Sequence, residues 1–113
     1  MLAQANRVVR PGDFRTAVRK GRRVSTPHTT IHVLVTSESR PSRFGFIVTK
    51  AVGGAVVRNT VRRRLRAVCR DILDTVPDGT DVVIRALPAS ADAAWATLHS
   101  EVADGLGSVV RRS

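Results

Sequence analysis

Apolar and polar residues alternate in three short segments, and a period of two predicts β-strands. The segments are residues 29–36, 43–49 and 81–86. One face of the first two strands carries Ile31, Val33 and Val35, and then Phe44, Phe46 and Val48. Gly45 falls on the opposite face of the second strand. A glycine there leaves room for another group to lie close to the sheet, or merely weakens the strand.

Apolar residues three or four positions apart predict three helices around these strands. The first is a short helix over residues 14–20, capped by Gly12 or Asp13 and closed by Gly21. The second is a long helix from the Gly53-Gly54 turn to about Thr75. The last helix is capped by Ser90 or Asp92, and its apolar residues at helical spacing are Trp95, Leu98, Val102 and Leu106. The order α-β-β-α-β-α predicts a single α+β domain, residues 1–113, with helices packed on a small sheet. Residues 1–10 lack such a pattern and are expected to form a basic N-terminal arm.

The long helix has two contrasting sides. At about 100° per residue, one side carries Arg58, Arg62, Arg66 and Arg70, with Asn59 and Arg63 pointing the same way. The opposite side carries Val57, Val61, Leu65, Val68 and Ile72. Charged helix faces normally mix signs at four-residue spacing, whereas like charges here repel each other. The pattern predicts a helix anchored by its apolar side whose arginines bind a polyanion; a merely solvated charged face is the alternative.

Arg64 falls on the far flank of the apolar stripe, so we expect it to contact Asp or Glu side chains within the domain instead.

The charge distribution strengthens this interpretation. The chain has 113 residues, enough for one domain with a modest core, and a net charge of +10. Residues 1–70 hold 16 Lys and Arg against two acidic residues, a net charge of +14, and residues 71–113 hold three against seven, a net charge of −4. Such asymmetry predicts a polyanion-binding side and a solubilising side.

Only two of the nineteen cationic residues are lysines, and the rest are arginines. Arginine suits phosphate and base recognition, although a GC-rich genome also favours arginine codons.

The sequence offers little for catalysis by protein side chains. The single cysteine, Cys69, excludes an internal disulfide and a multi-cysteine zinc site. His28 and His32 could share a strand face, but no cysteine or acid at ligand spacing accompanies them. The acidic residues are scattered, so a two-metal nuclease site is not expected.

No apolar run approaches the roughly 18 residues of a membrane span. We expect a cytoplasmic protein, although the arginine-rich start is also compatible with a transit peptide.

The segment from Lys50 to Arg66 resembles the signature of the protein subunit of bacterial ribonuclease P. The matching residues are Lys50, Gly53, Ala55, Val56, Arg58, Asn59, Arg62, Arg63 and Arg66. The basic arm, Phe14 in the first helix, Arg43 and Gly45 before the signature, and the order of elements also correspond. The resemblance therefore covers nearly the whole chain.

The resemblance implies a ribosomal-protein-like fold with a left-handed β-α-β crossover, against the usual rule. It also implies an endoribonuclease that acts as a ribonucleoprotein. A catalytic RNA subunit, with Mg²⁺ bound mainly by RNA and substrate, would remove the 5′ leader of precursor tRNA. The protein would supply no catalytic residue and need no obligate protein partner. The RNA-binding residues would be Lys50, Arg58, Asn59, Arg62, Arg63 and Arg66; the residues lining the leader cleft would be Phe14, Val18, Ile31 and Val33.

Some positions depart from the family pattern. Thr60 replaces an arginine that often completes an Arg-Asn-Arg triplet, Gly54 replaces a frequent asparagine, and Val18 stands where a second aromatic is common. The chain has no tyrosine, so fewer rings are available to stack along a leader. Two rival interpretations stay open: a structural RNA-binding protein such as a ribosomal component, and a DNA-binding regulator. The regulator would need a helix at helix-turn-helix spacing before the arginine helix, which the sequence lacks.

Overall fold

A computed structural model describes residues 2–110 of the protein, in which one four-stranded sheet carries three helices. In chain order the elements are α1 (Pro11–Lys20), β1 (Arg22–Ser25), β2 (Thr29–Val35), β3 (Arg43–Ile47), α2 (Ala55–Ile72), β4 (Thr80–Ala86) and α3 (Trp95–Val110). Short 3-10 turns cover Gln4–Asn6, Leu73–Thr75 and Pro88–Asp92. The predicted α+β class is confirmed, and the order of elements gains one strand, β1.

The added strand differs from the sequence prediction, which has no strand before residue 29. Three of its four residues, Arg22, Arg23 and Ser25, are exposed, so no apolar alternation marks the segment. β1 is held by antiparallel pairing with β2, from Arg22 opposite Val33 to Ser25 opposite Thr30. Its structure thus comes from pairing with the strand that follows it more than from its own pattern.

The sheet has the strand order β1-β2-β4-β3. β2 is antiparallel to both β1 and β4, whereas β3 is parallel to β4. Parallel neighbours need a crossover connection, and α2 provides it between β3 and β4. The left-handedness of this crossover stays an expectation.

The main core lies between one face of the sheet and helices α2 and α3. The sheet contributes Ile31, Val33, Phe44, Val82 and Ile84, α2 contributes Val61, Leu65, Val68, Cys69 and Ile72, and α3 contributes Leu98, Val102, Leu106 and Val109. Val57 and Trp95, which the spacing assigns to the apolar sides of α2 and α3, are instead 37% and 41% exposed. Each lies in the first turn of its helix, outside this core.

The opposite face of the sheet carries α1. Ala17 of α1 and Val83 of β4 are fully buried but do not belong to the main core. Phe14 lies against Gly45, because a Cβ added to Gly45 would stand 2.5 Å from Cε1 of the phenylalanine ring. The glycine therefore makes room for the ring of Phe14.

The helix starts differ from the predicted ones. α1 begins at Pro11, and its N-cap makes no side-chain hydrogen bond. Proline is favourable at the first helical position because its missing N–H needs no partner there. Gly12 and Asp13 lie inside the first turn and do not cap the helix. Ser90 and Asp92 belong to a 3-10 turn that precedes α3, so neither caps that helix.

The N-terminal arm is also more ordered than expected, since it packs on β3. Leu2 and Val8 are buried, and the N–H of Val8 donates to the carbonyl oxygen of Phe44 at 2.9 Å. Arg7 forms a parallel bridge with Phe44, and its guanidinium donates to the Leu2 carbonyl. These contacts place the arm along the outer edge of β3.

Candidate nucleic-acid interface

The apolar stripe of α2 fixes which side of the helix faces solvent. Val61 and Leu65 are fully buried against the sheet, so Arg62 and Arg63 between them face away from the core. The helix follows a turn at Gly53, whose φ is 156°. A Cβ there would meet Val57 Cγ1 at 2.9 Å, so the turn needs glycine at this position.

The outward side of α2 brings together most of the predicted RNA-binding residues. Arg62 donates through Nη1 to Asn59 Oδ1 at 3.2 Å and through Nη2 to the carbonyl oxygen of Val48 at 3.3 Å. These bonds hold the guanidinium near the end of β3. Arg63 and Arg70 are exposed, and Arg66 is half-buried.

A shallow groove runs along this side of the helix. It has a volume of about 930 Å³, and its lining residues are Asn59, Arg62, Arg63, Arg66, Ala67, Arg70, Asp71 and Trp95. None of the ion pairs within residues 2–110 involves an arginine of α2. The groove therefore presents four cationic side chains with one carboxylate, Asp71, and can attract an anionic ligand.

Two predicted residues lie outside this groove. Lys50 is exposed on the turn between β3 and α2. Arg58 is half-buried, and its Nε is buried without a hydrogen-bond partner in the described part of the chain. Both belong to the N-terminal end of the basic surface.

Arg64 has a partner within the domain, but not the carboxylate that the sequence argument predicted. Its Nη1 donates to the carbonyl oxygen of Ala93 at 3.1 Å, which ties α2 to the segment before α3. The partner is a backbone carbonyl and not a carboxylate. Arg64 therefore contacts the fold itself, as Arg62 does through the carbonyl oxygen of Val48.

A second, smaller cavity connects this surface to α1. Its volume is about 150 Å³, and the residues that line it are Leu2, Arg7, Val8, Phe14, Phe44, Gly45, Phe46, Arg62 and Arg66. Arg62 and Arg66 line both cavities. Phe14 is thus placed beside the arginines of α2, whereas Val18, one turn later on α1, is half-buried and does not line the cavity.

The placement of Ile31 and Val33 corrects the sequence prediction. Both are essentially fully buried in the main core, at 0% and 2% exposure. Strand alternation directs them towards α2 and α3, on the face of the sheet opposite α1. They therefore cannot line a cleft beside Phe14. The neighbouring positions Thr30, His32 and Leu34 point to the α1 face instead.

His32 is the residue on that face which the sequence argument missed. It is 6% exposed, and its Nδ1 has no hydrogen-bond partner in the described part of the chain. Burial lowers the pKa of His32, and the positive charges of Arg23 and Arg85 lower it further. The sequence does carry a signal for this residue, because a polar histidine stands between two apolar residues of a predicted strand.

An ion-pair cluster stands on the same face of the sheet, beside the first turn of α1. Asp81 of β4 accepts two bonds from Arg43, at 2.9 and 2.8 Å, and lies 3.0 Å from Arg40. Burial opposes ionisation of this carboxyl, but the bonds and charges of Arg43 and Arg40 outweigh it and lower the pKa of Asp81. Asp13 of α1 joins the cluster through Arg43 at 3.5 Å.

Within residues 2–110, no group of three His, Cys, Asp or Glu side chains is arranged to hold a metal ion. The same part of the chain has no helix that is both long and apolar enough to cross a membrane.

Comparison with known proteins gives a consistent picture. Residues 2–110 match the family model described as Ribonuclease P. The chain is 48% identical over 111 residues to the "Ribonuclease P protein component" of Clavibacter michiganensis subsp. michiganensis, covering 98% of both chains. It is 44% identical over 112 residues to the protein of the same description from Rhodococcus opacus, covering 94% of this chain and 90% of that one.

Solved structures show the same fold. The Staphylococcus aureus RNase P protein superposes with a TM-score of 0.81 at 22% identity, covering 94% of this chain and 96% of that one. The Thermotoga maritima RNase P protein superposes with a TM-score of 0.77 at 20% identity, covering 88% and 94%.

Proposed function

This chain belongs to the ribonuclease P protein family, and on that premise we propose that α2 binds the RNA subunit and that the α1 face holds the 5′ leader of precursor tRNA. Members of this family are protein components of a ribonucleoprotein endoribonuclease that processes tRNA 5′ ends. The chemistry is assigned to the RNA. The open question is how this protein recognises its RNA ligands.

The observation that carries the proposal is the unpaired arginine row of α2. Asn59, Arg62, Arg63 and Arg66 share one groove, and no carboxylate among residues 2–110 forms an ion pair with these arginines. Guanidinium groups bind phosphate oxygens through two parallel hydrogen bonds. Lys50 and Arg58 extend the same basic surface towards the start of the helix. Contacts of this kind give affinity with little choice of sequence.

The α1 face supports the second half of the proposal. Single-stranded nucleic acid is typically held by a basic groove with aromatic rings that stack on bases. Phe14 supplies a half-buried ring next to Arg62 and Arg66. Val18 and His32 extend the α1 face from there. In this proposal His32 takes the cleft position that the sequence argument gave to Ile31 and Val33.

The proposal assigns Mg²⁺ to the RNA subunit and the substrate. Mg²⁺ takes oxygen ligands and is commonly bound with substrate phosphates and several waters. The protein would act on the metal indirectly, because its arginines neutralise phosphate charge that Mg²⁺ would otherwise have to screen.

The deciding experiment is a cleavage assay with precursor tRNA, the RNA subunit transcribed from the source genome, and purified protein. We expect no cleavage by the protein alone. Adding the protein to the RNA should lower the Mg²⁺ concentration needed for half-maximal cleavage. Cleavage by RNA-free protein would overturn the assignment of chemistry to RNA. Absence of any stimulation would overturn the function proposed for this chain.

The leader is tested by comparing precursor tRNA with mature tRNA, each bound in the presence of the RNA subunit. We expect the protein to strengthen binding of the precursor selectively. A Phe14→Ala variant should lose part of this selectivity, since it removes the ring beside Arg62 and Arg66. Equal strengthening of both tRNAs would instead favour a structural RNA-binding role without leader recognition.

A further inference from the structure

Trp95 is an unusual side chain for its position. It is the first residue of α3 and the chain's single tryptophan, and it is 41% exposed although it is the largest apolar side chain present. It lines the groove along α2 together with Arg63, Arg66 and Arg70. An exposed ring on a rigid element beside cations points to a ligand with an apolar face and a negative charge.

Neighbouring groups orient this ring. The ring of His99, one turn later on α3, lies 4.8 Å from the ring of Trp95, centroid to centroid, with 42° between the planes. Nε2 of His99 is in turn 2.6 Å from Oδ2 of Asp71 on α2. The indole is therefore backed on one side by a histidine that is tied to the arginine helix. Its remaining exposed surface is available to the groove.

We propose that Trp95 is a stacking platform for one unpaired base of the RNA subunit, while Arg63, Arg66 and Arg70 bind the phosphates on either side of that nucleotide. This inference rests on the proposed function of α2 as an RNA-binding helix and adds a nucleotide-binding site on α3. Every base has a flat face that stacks on an aromatic ring, and such stacking contributes strongly to single-strand binding. A double-stranded segment could reach the arginines but would have no free base for the indole.

The charge of the groove favours RNA over a protein partner. Four arginines and one aspartate line it, so an occupant must bring several negative charges along its length. The phosphates of a nucleotide strand do so at regular spacing, next to the bases that the indole would accept. We assign the occupant to the RNA subunit, because the α1 face, on the other side of the sheet, is the side proposed for the leader.

Tryptophan fluorescence tests the inference directly, because the chain has one Trp and no Tyr. We expect the RNA subunit transcript alone to quench the emission saturably, at the concentrations at which filter binding shows complex formation. Trp95→Leu should weaken filter-measured affinity about 5- to 30-fold, while Trp95→Phe retains most of it. Trp95→Leu removes no charge, so the salt dependence of binding should keep its slope. Thr97→Ala, at an exposed neighbouring position outside the groove, is the matched control and should bind like the wild type.

The outcomes separate this inference from the function on which it rests. Complex formation without quenching, together with unchanged affinity of Trp95→Leu, would overturn the stacking site and leave RNA binding by α2 intact. Failure of the wild-type protein to bind the RNA subunit at all would overturn the proposed function itself. Quenching by precursor tRNA alone, and not by the RNA subunit, would overturn the choice of ligand. Circular dichroism of each variant shows whether α3 is retained, so a folding defect is recognised as such.

Discussion

Gly45 shows how a single residue shapes the α1 face. The strand could accept a β-branched residue at this position, but the ring of Phe14 occupies the space where a Cβ would stand. Phe14 is thereby brought close to the sheet and next to the arginines of α2. Because Gly45 has no side chain, the ring of Phe14 can lie against the backbone of β3.

Gly45→Ala should therefore be destabilising. The new Cβ would stand 2.5 Å from Phe14 Cε1 and 3.0 Å from Val8 Cβ, so α1 or the arm must shift. Overpacking of this kind costs about 1–3 kcal/mol of unfolding free energy, which urea unfolding would measure. Gly12→Ala is the matched control, since the nearest atom would be 3.9 Å away and alanine favours helix. Equal stability of Gly45→Ala and wild type would contradict the packing of Phe14 described above.

The burial of His32 makes stability depend on pH. Its pKa lies below the ordinary value of 6.5, through burial first and then through Arg23 and Arg85. Well above pH 6.5 the imidazole is neutral in both the folded and the unfolded chain. Below that pH the unfolded chain takes up a proton before the folded chain does, so protonation favours unfolding.

We accordingly expect the unfolding free energy to decrease between about pH 7 and pH 5 because of this histidine. The measurement is the difference in unfolding free energy between the wild type and His32→Gln across that range. This difference removes the effect of the other titrating groups. The wild type should lose stability relative to the variant as the pH falls. A difference that is independent of pH would mean that His32 keeps an ordinary pKa in the folded protein.

Among the secondary-structure elements, the cluster around Asp81 ties α1 to the paired strands β3 and β4. Asp81 belongs to β4 and Arg43 to β3, and Arg43 also reaches Asp13 of α1. Arg40 adds the connection between β2 and β3. The cluster thus holds the first turn of α1 through Asp13, next to the contact that Phe14 makes with Gly45. The proposed leader-binding face depends on both.

Asp81→Asn should lower the unfolding free energy by roughly 2–3 kcal/mol at neutral pH. Breaking a buried pair typically costs about 3–5 kcal/mol, and the two guanidinium groups here still reach solvent and can be hydrated. Glu38→Gln removes a second, exposed partner of Arg40. The Glu38 side chain is 63% accessible, so this change should cost less than about 1 kcal/mol. Urea unfolding of both variants would test this; a larger loss for Glu38→Gln would reverse our assignment of the central carboxylate.

How far each element could be predicted from the sequence depends on where its stabilising contacts come from. α2 repeats its apolar residues over 18 positions, so its side facing the core could be read directly. β1 and the arm have no such repetition: β1 is mostly exposed and held by pairing with β2, and the arm is held by contacts with β3. Ile31 and Val33 show a further limit. Alternation put them together on one face correctly, but only the packing of α2 and α3 determines which face is the core.

For the molecule as a whole, the basic residues form a surface on which the two proposed RNA-binding regions meet. Arg62 and Arg66 line both the groove of α2 and the cavity beside Phe14. A single-stranded leader bound at the α1 face and an RNA bound along α2 would therefore both lie in the positive electrostatic field of Arg62 and Arg66. The sequence predicted the arginines of this surface but not Trp95, because helical spacing alone placed that residue on the buried side.

The shared field predicts a strong salt dependence of RNA binding. Arg63→Ala and Arg66→Ala should each weaken binding and reduce the slope of log affinity against log salt by about 1. Arg64→Ala is the matched control: its guanidinium donates to the carbonyl of Ala93, so the slope should stay unchanged. Filter binding over a salt series measures all three. A loss of slope for Arg64→Ala and not for the others would mean that the RNA approaches a different side of α2.

The arm along β3 has a consequence for the protein before it meets RNA. A sheet has two outer strands, and each presents unpaired backbone groups that can join the sheet of another molecule. Here β1 is short and carries exposed Arg22 and Arg23, while the outer edge of β3 is occupied by Arg7 and Val8. Arg7 and Val8 therefore cover an edge through which β3 could otherwise pair with another molecule. A shortened chain that lacks residues 2–8 would be expected to aggregate through β3 even where its arginines are intact.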